Sequence, residues 1–190
     1  MAAHHEELLA AAQLLLKREP NQRGQLSSAR IRRSISTSYY ALFQFLLDEA
    51  GLRIAGAHNN QARRRRLLTR SFTHEGVRKA LDKVRGAAVD PSVADFFQPT
   101  AAASGRVVPP VFARGMASAF GEAKAKRLDA DYNLNEKLSE DDARQAVSRA
   151  ERAIEAWRLA TGAGDKDFKH ALSVLMLLQG SLRHDQTRAG

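Results

Sequence analysis

The stretch from Arg30 to Glu49 constrains this chain most. Placed on a helix, Ile31, Ile35, Leu42, Phe45 and Glu49 follow one stripe, and Tyr39, Phe43, Leu46 and Ala50 follow the adjacent one. The apolar surface is therefore much broader than the single face a surface helix needs, and such a helix has to touch several others. Ser34, Ser36, Thr37, Ser38 and Ala41 are small enough to let neighbouring backbones approach. Tyr39 and Tyr40 bring large apolar area with a hydroxyl that needs a partner when buried. The segment reads as the central helix of a bundle, running to about Ala50 with Gly51 as its C-terminal stop.

The flanking sequence supplies the rest of an all-α fold. Leu8, Leu9, Ala12, Leu15 and Leu16 recur at helical spacing before Pro20, which predicts a first helix over residues 4–18. A link as short as 20–24 predicts that this helix and the next lie antiparallel, with Ser27 or Ser28 as the cap between them. Residues 52–62 read as a loop, and Val77, Leu81 and Val84 mark a short helix starting near Thr73. Asp90-Pro91 opens a brief helical turn over Ser92 to Phe97, followed by a flexible segment from Gln98 to Val108 within a loosened stretch, 86–110. A loop of that length in a compact domain is often a lid or a contact surface.

Pro109-Pro110 sets up a helix whose stripe is Phe112, Met116, Ala119, Ala123 and Ala130. Ser139-Glu140-Asp141-Asp142 then caps one whose seam is Ala143, Val147, Ala150, Ile154 and Trp157, with Gly162 and Gly164 expected to stop it. A last helix over 166–179 carries Phe168, Leu172, Leu175 and Met176 and reads as a cover for an exposed flank or a subunit contact. The expected architecture is an antiparallel up-and-down bundle of about five helices plus a C-terminal helix. It forms one domain over 1–180, with a disordered tail over 181–190.

Composition narrows the function classes. The absence of cysteine excludes a disulfide framework and any thiolate metal or nucleophile site. No run of eighteen apolar residues occurs, and the first residues lack the pattern of a secretory signal, so a cytoplasmic protein without membrane contact is expected. No motif calls for a metal or a cofactor. The net charge is +9, and 22 of the 30 basic side chains are arginine, which favours an anionic partner such as RNA, DNA or an acidic protein. Arg63, Arg64, Arg65 and Arg66, with Arg70, Arg78 and Lys79 beyond them, form the densest basic run. They read either as a phosphate-contacting patch or as a solvated face; on a helix four consecutive arginines point four ways, so one or two must be solvated or paired.

Arg127 and Asp131 lie one helical turn apart, so guanidinium and carboxylate can meet, with Tyr132 beside them. Arg preceding Asp is the less favourable order for an isolated helix, so helix stability alone is a poor reason for the pair. His74, between Thr73 and Glu75, is either a proton-transfer or phosphate-contacting group or an imidazole bonded to backbone or to a tyrosine hydroxyl. Arg32 and Arg33, beside the serine-rich face, can join either arrangement.

These segments carry a resemblance. Arg32-Arg33-Ser34-Ile35-Ser36-Thr37-Ser38-Tyr39-Tyr40-Ala41-Leu42-Phe43, then Thr73-His74-Glu75-Gly76-Val77, then Arg127-Leu128-Asp129-Ala130-Asp131-Tyr132, then a capped helix containing Ala150-Glu151, resemble the HEPN superfamily of small bacterial helical proteins. The resemblance covers roughly residues 5–160. It implies a helical bundle, usually a homodimer, found beside nucleotidyltransferase partners in toxin–antitoxin pairs or defence systems. Active members are metal-independent endoribonucleases that use an arginine followed four to six residues later by histidine. Arg127 matches that arginine, but Asp131 takes the place of the histidine. A carboxylate beside an arginine is a poor acid or base near neutral pH and repels phosphate. Arg53 and His58 match the spacing formally, in a predicted loop. The expectation is a binding module associated with RNA or nucleotides that lacks the usual catalytic pair. The alternatives are an endoribonuclease using His74 with Arg127 or Arg32, and a nonspecific nucleic-acid binder.

Overall fold

A computed structural model describes residues 3–18, 24–100 and 106–181, with side chains left out at 99, 100, 180 and 181. The described chain is all-α. Its helices are α1 (His4–Leu15), α2 (Ser28–Ala55), α3 (Ala62–Thr69), α4 (His74–Asp82), α5 (Val111–Tyr132), α6 (Glu140–Leu159) and α7 (Ala163–Ser181), with 3-10 segments at Asn59–Gln61 and Pro91–Thr100. None of the described helices is long and apolar enough to cross a membrane. The chain divides into two compact units, Met1–Phe45 with Ala119–Glu155 and Leu46–Ser118 with Ala156–Gly190.

The first unit is a ring of four helical segments from α1, α2, α5 and α6. Polar contacts give the direction of each neighbour. The Ser34 hydroxyl donates to the Ala12 carbonyl at 2.8 Å and Arg30 Nε to the Leu15 carbonyl at 3.0 Å, while the rings of His5 and Phe45 meet edge to face. Residue numbers rise along α1 as they fall along α2, so the pair is antiparallel, as the short link predicts. Lys126 with Asp142 and Arg149 with Glu122 do the same for α5 and α6, and Arg18 with Glu140 and Gln13 with Glu151 for α1 and α6. Inside lie Ala12, Leu16, Leu26, Ile31, Ile35, Ala130, Ala143, Ala146 and Val147. Four of these nine are alanines, small side chains that let packed helices approach. The cap of α2 is Ser27, and Ser139 and Asp142 cap α6 reciprocally, hydroxyl to amide and carboxylate to amide, as their spacing predicts.

The second unit is built on aromatic rings. Phe97 and Phe168 lie 4.5 Å apart, and Phe112 meets Trp157 edge to face at 5.3 Å. Here α7 packs on α4 and on the 3-10 segment Pro91–Thr100, burying Phe168, Leu172, Leu175 and Met176. The last helix is therefore a core element of its unit, because it packs on α4, whose Val77, Ala80 and Leu81 are buried as well.

Several boundaries differ from the sequence expectation. Helix α1 ends at Leu15, and α2 runs through Gly51 to Ala55. Gly51 has no left-handed backbone. A Cβ there would stand 3.4 Å from Thr69 Cγ2 and 3.7 Å from Arg65 Cβ, ordinary contact with α3, so the glycine is neither a stop nor required by the packing. The stop is Gly56, with φ +87°, the left-handed geometry of a C-terminal cap. The expected 52–62 loop is thereby reduced to a short connection. Gly164 lies inside α7, which starts at Ala163. What ends α6 is Lys169, whose ammonium donates to the Trp157 carbonyl at 2.6 Å and to the Ala160 carbonyl. Burial lowers its pKa from the ordinary lysine value, and nearby Arg53 adds to the shift. In the expected flexible stretch, residues 101–105 lie outside the described residues, but Val107 is buried and its carbonyl accepts from the Val89 amide at 2.9 Å. Of the expected tail, 182–190 lie outside the described residues.

Candidate functional site

Arg127 is the hub of the first unit's polar cluster. Its Nε donates to Asp131 Oδ2 at 2.9 Å across one turn of α5, with the two side chains 16% and 26% exposed. The guanidinium carbon sits 5.3 Å from the Tyr39 ring centroid and 5.0 Å from that of Tyr40, so the charge faces two aromatic rings of α2. Those rings meet edge to face, and Tyr39 also packs on Phe120. The other carboxylate oxygen of Asp131 accepts from the Ser36 hydroxyl. Burial works against the arginine's charge, but the hydrogen bond to Asp131 and the electrostatics of Tyr40, Asp131 and Tyr39 outweigh it and raise its pKa from the ordinary value.

The chemistry follows from how these donors and acceptors are used. Both oxygens of Asp131 are engaged by donors, one cationic and one neutral. Each oxygen keeps a second lone pair, but the two donors fix the carboxylate between α5 and α2, where its bonds serve the protein's own side chains. The pair crosslinks α5 to α2. Sequence reading found Arg127, Asp131, Tyr39 and Tyr40 but missed Ser36, whose signal is its register: it precedes Tyr39 by three residues and Tyr40 by four, and a buried hydroxyl on that face needs a partner.

Arg32 serves a different purpose from the ligand contact expected of it. Its Nη1 donates to the carbonyls of Asp129, Ala130 and Asn133 at 3.0, 3.1 and 3.1 Å, and its Nη2 to those of Leu134 and Glu136 at 3.4 and 2.6 Å. Its Nε donates to Ser28 Oγ at 3.2 Å. The side chain thus closes the C-terminus of α5, where carbonyls lack intrahelical partners and a cation complements the helix dipole. Arg33 is exposed, and Tyr132, 71% exposed, stands outside the Arg127 cluster that it was expected to close.

His74 and the arginine run belong to the second unit. His74 is half-buried at the first position of α4, behind a Thr73 cap that accepts from the Gly76 amide at 3.0 Å. Arg78 is not available to a phosphate patch. It donates to Glu75 at 2.6 and 3.0 Å and also pairs with Asp82; its pKa is raised, first by the bond to Glu75. The formal Arg53–His58 match dissolves similarly. Arg53 pairs with Glu49 at 3.0 Å, the carboxylate that also takes the Trp157 indole N–H, while His58 is exposed at the start of a 3-10 turn.

The four arginines of α3 separate into two roles. Arg65 turns back and donates to the carbonyls of Gly56 and His58, the latter at 2.9 Å, so it fixes the turn that follows α2. Arg63, Arg64 and Arg66 are exposed, as is Arg70 just past the helix end. Among the described residues none of these four has a hydrogen bond or carboxylate partner. Spacings of three and four put Arg63, Arg66 and Arg70 on one face, along a strip about 10 Å long at helical rise.

No family model, no curated protein and no solved structure matches the chain. Among the described residues, no group of three histidine, aspartate or glutamate side chains is placed to hold a metal ion.

Proposed function

We propose that the protein is a HEPN-like helical module that binds RNA through α3 without cleaving it, as one component of a toxin–antitoxin or defence pair. The carrying observation is the distribution of uncommitted charge. Arg18, Arg53, Arg78, Lys83, Lys126, Arg127 and Arg149 are each matched to a carboxylate. Arg63, Arg64, Arg66 and Arg70 are not, among the described residues, and they cluster on one short exposed helix and its C-terminal cap. Cationic side chains with no internal partner, repeated along one face, suit a polyanion whose charges also repeat. The absence of cleavage is supported by Asp131, which stands where the resembled family carries its histidine and has both oxygens engaged. The same resemblance makes a nucleotidyltransferase the expected partner and a homodimer the expected state. Leu128, Tyr132 and Leu134 supply exposed apolar surface for self-association at the end of α5.

The test is retention of a fluorescent single-stranded RNA across a salt series, with metal chelated throughout. Three phosphate contacts predict a slope of log affinity against log salt of about −2, and Arg63→Gln, Arg66→Gln and Arg70→Gln together flatten it towards zero. An unchanged slope in the triple variant removes the assignment to α3. RNA turnover by the chain without metal refutes the non-catalytic reading, and its loss in His74→Ala would move the chemistry to His74.

A further inference from the structure

The second unit contains a cleft of about 600 Å³ that the RNA reading does not use, bounded by α4, α7 and the 3-10 segment Pro91–Thr100. Its size falls in the range of small-molecule sites. Val93 and Leu175 form a buried floor, and Phe96 and Leu178 stand exposed on its walls, so a ligand's apolar body meets apolar carbon on several sides. The α4 side is charged, and its charges are unequally committed. Asp82 is paired with Arg78, which it shares with Glu75, and Lys83 is held by Asp90 at 2.9 Å and by the Ser92 hydroxyl at 3.1 Å. Lys79 also lines the cleft and is half-buried, and among the described residues it has no hydrogen bond or carboxylate partner. One uncommitted ammonium beside an apolar cleft is complementary to a single anionic group on an apolar body.

We infer that this cleft binds a small amphipathic carboxylate, its apolar chain between Phe96 and Leu178 and its carboxylate on Lys79. The specificity comes from the mismatch of the two surroundings. An uncharged amphiphile leaves the ammonium unpaired when the cleft is covered, and a short hydrophilic anion leaves the apolar walls wet. The site stands on the second unit alone and is independent of how α3 meets RNA.

Titration calorimetry of the full chain with decanoate, below the concentration at which it forms micelles, tests the inference. The expected result is saturable binding of one decanoate per chain, with decanol about tenfold weaker and butyrate weaker by about a hundredfold. Lys79→Glu weakens decanoate by about tenfold or more and leaves decanol unchanged. Lys166→Glu, an exposed site on α7 with the same change in net charge, leaves both unchanged. A second variant, Phe96→Glu, weakens decanoate by putting a negative charge on the exposed wall without touching α4. Absence of saturable binding, equal affinity for decanoate and decanol, or equal loss in Lys79→Glu and Lys166→Glu overturns the assignment.

Discussion

Arg32 offers the sharpest test of how this fold is held, because one side chain closes the end of another helix almost a hundred residues away in sequence. Five carbonyls, those of Asp129, Ala130, Asn133, Leu134 and Glu136, accept from its guanidinium. Arg32→Met keeps much of the aliphatic stem and removes every donor. A hydrogen bond to a charged group contributes about 1.5–3 kcal/mol, but this side chain is only half-buried and water replaces part of what is lost. Interaction with the helix C-terminus adds about 0.3–1 kcal/mol. These terms overlap, so the expected loss is about 2–3 kcal/mol, seen as a fall in Tm of about 4–12 °C for a chain of this size. Arg32→Lys places a compact ammonium where a planar fork spans five acceptors, and recovers less than half of the loss. Hydrogen exchange should accelerate first at the amides of 133–137, since that turn is what the guanidinium ties down. Urea unfolding of Arg32→Met within about 0.5 kcal/mol of the parent chain, with no local change in exchange, would falsify the assignment of Arg32 as a helix clamp.

Asp131→Asn removes the charge that faces Arg127 and costs about 1–2 kcal/mol by equilibrium unfolding, while RNA retention stays as it was; a change in RNA affinity without loss of stability contradicts a structural role for the pair. The Asp142 carboxyl is held at about 2, below the ordinary 3.8, first by the Ser139 hydroxyl, then by the Ser139 amide and Lys126. A lowered carboxyl pKa means the folded state resists protonation, so this contribution is complete above about pH 5 and fades as pH falls towards 2. Asp142→Asn should therefore cost about 1 kcal/mol at pH 6 and almost nothing at pH 2, and a cost independent of pH argues against it. Gly51→Ala should be neutral or stabilise by up to about 1 kcal/mol, because the added Cβ meets α3 at ordinary contact distance and alanine favours helix; Gly56→Ala, at φ +87°, should destabilise by about 1 kcal/mol. The reverse order would restore Gly51 as the stop.

What was legible in the sequence was what repeats locally. The apolar stripes of α2, α5 and α6 and the Ser139–Asp142 cap rest on spacings of three and four, and the structure places them as read. The Arg127–Asp131 pair was legible for the same reason, since it spans one turn of one helix. Gly51 was misread because a glycine in a helical pattern can be either an interior residue or a left-handed stop, and only the backbone conformation, helical at Gly51 and φ +87° at Gly56, distinguishes them. The roles of Arg32 and Arg65 were left open for a related reason. Each is spent on backbone carbonyls, and a carbonyl is present at every residue, so no side-chain pattern announces it as an acceptor.

That asymmetry bears on how an arginine-rich chain is to be read for function. A net charge of +9 invites the assignment of every basic cluster to an anionic ligand, yet the most basic run here divides against itself. Arg65 folds back on the turn at Gly56, and its neighbours Arg64 and Arg66 remain exposed. The same division separates Arg32, which closes α5, from the exposed Arg33. Adjacent arginines on a helix point about 100° apart, so the contact that makes one structural does not extend to the next, and here the next is exposed in both cases. The informative quantity is therefore the charge left over once carbonyls and carboxylates have been satisfied. By that measure, among the described residues, α3 carries a run of uncommitted arginines, and Lys79 stands uncommitted beside an apolar cleft. A continuous strip of cations and one cation over carbon call for different ligands, a polyanion for the first and a monoanion with an apolar body for the second.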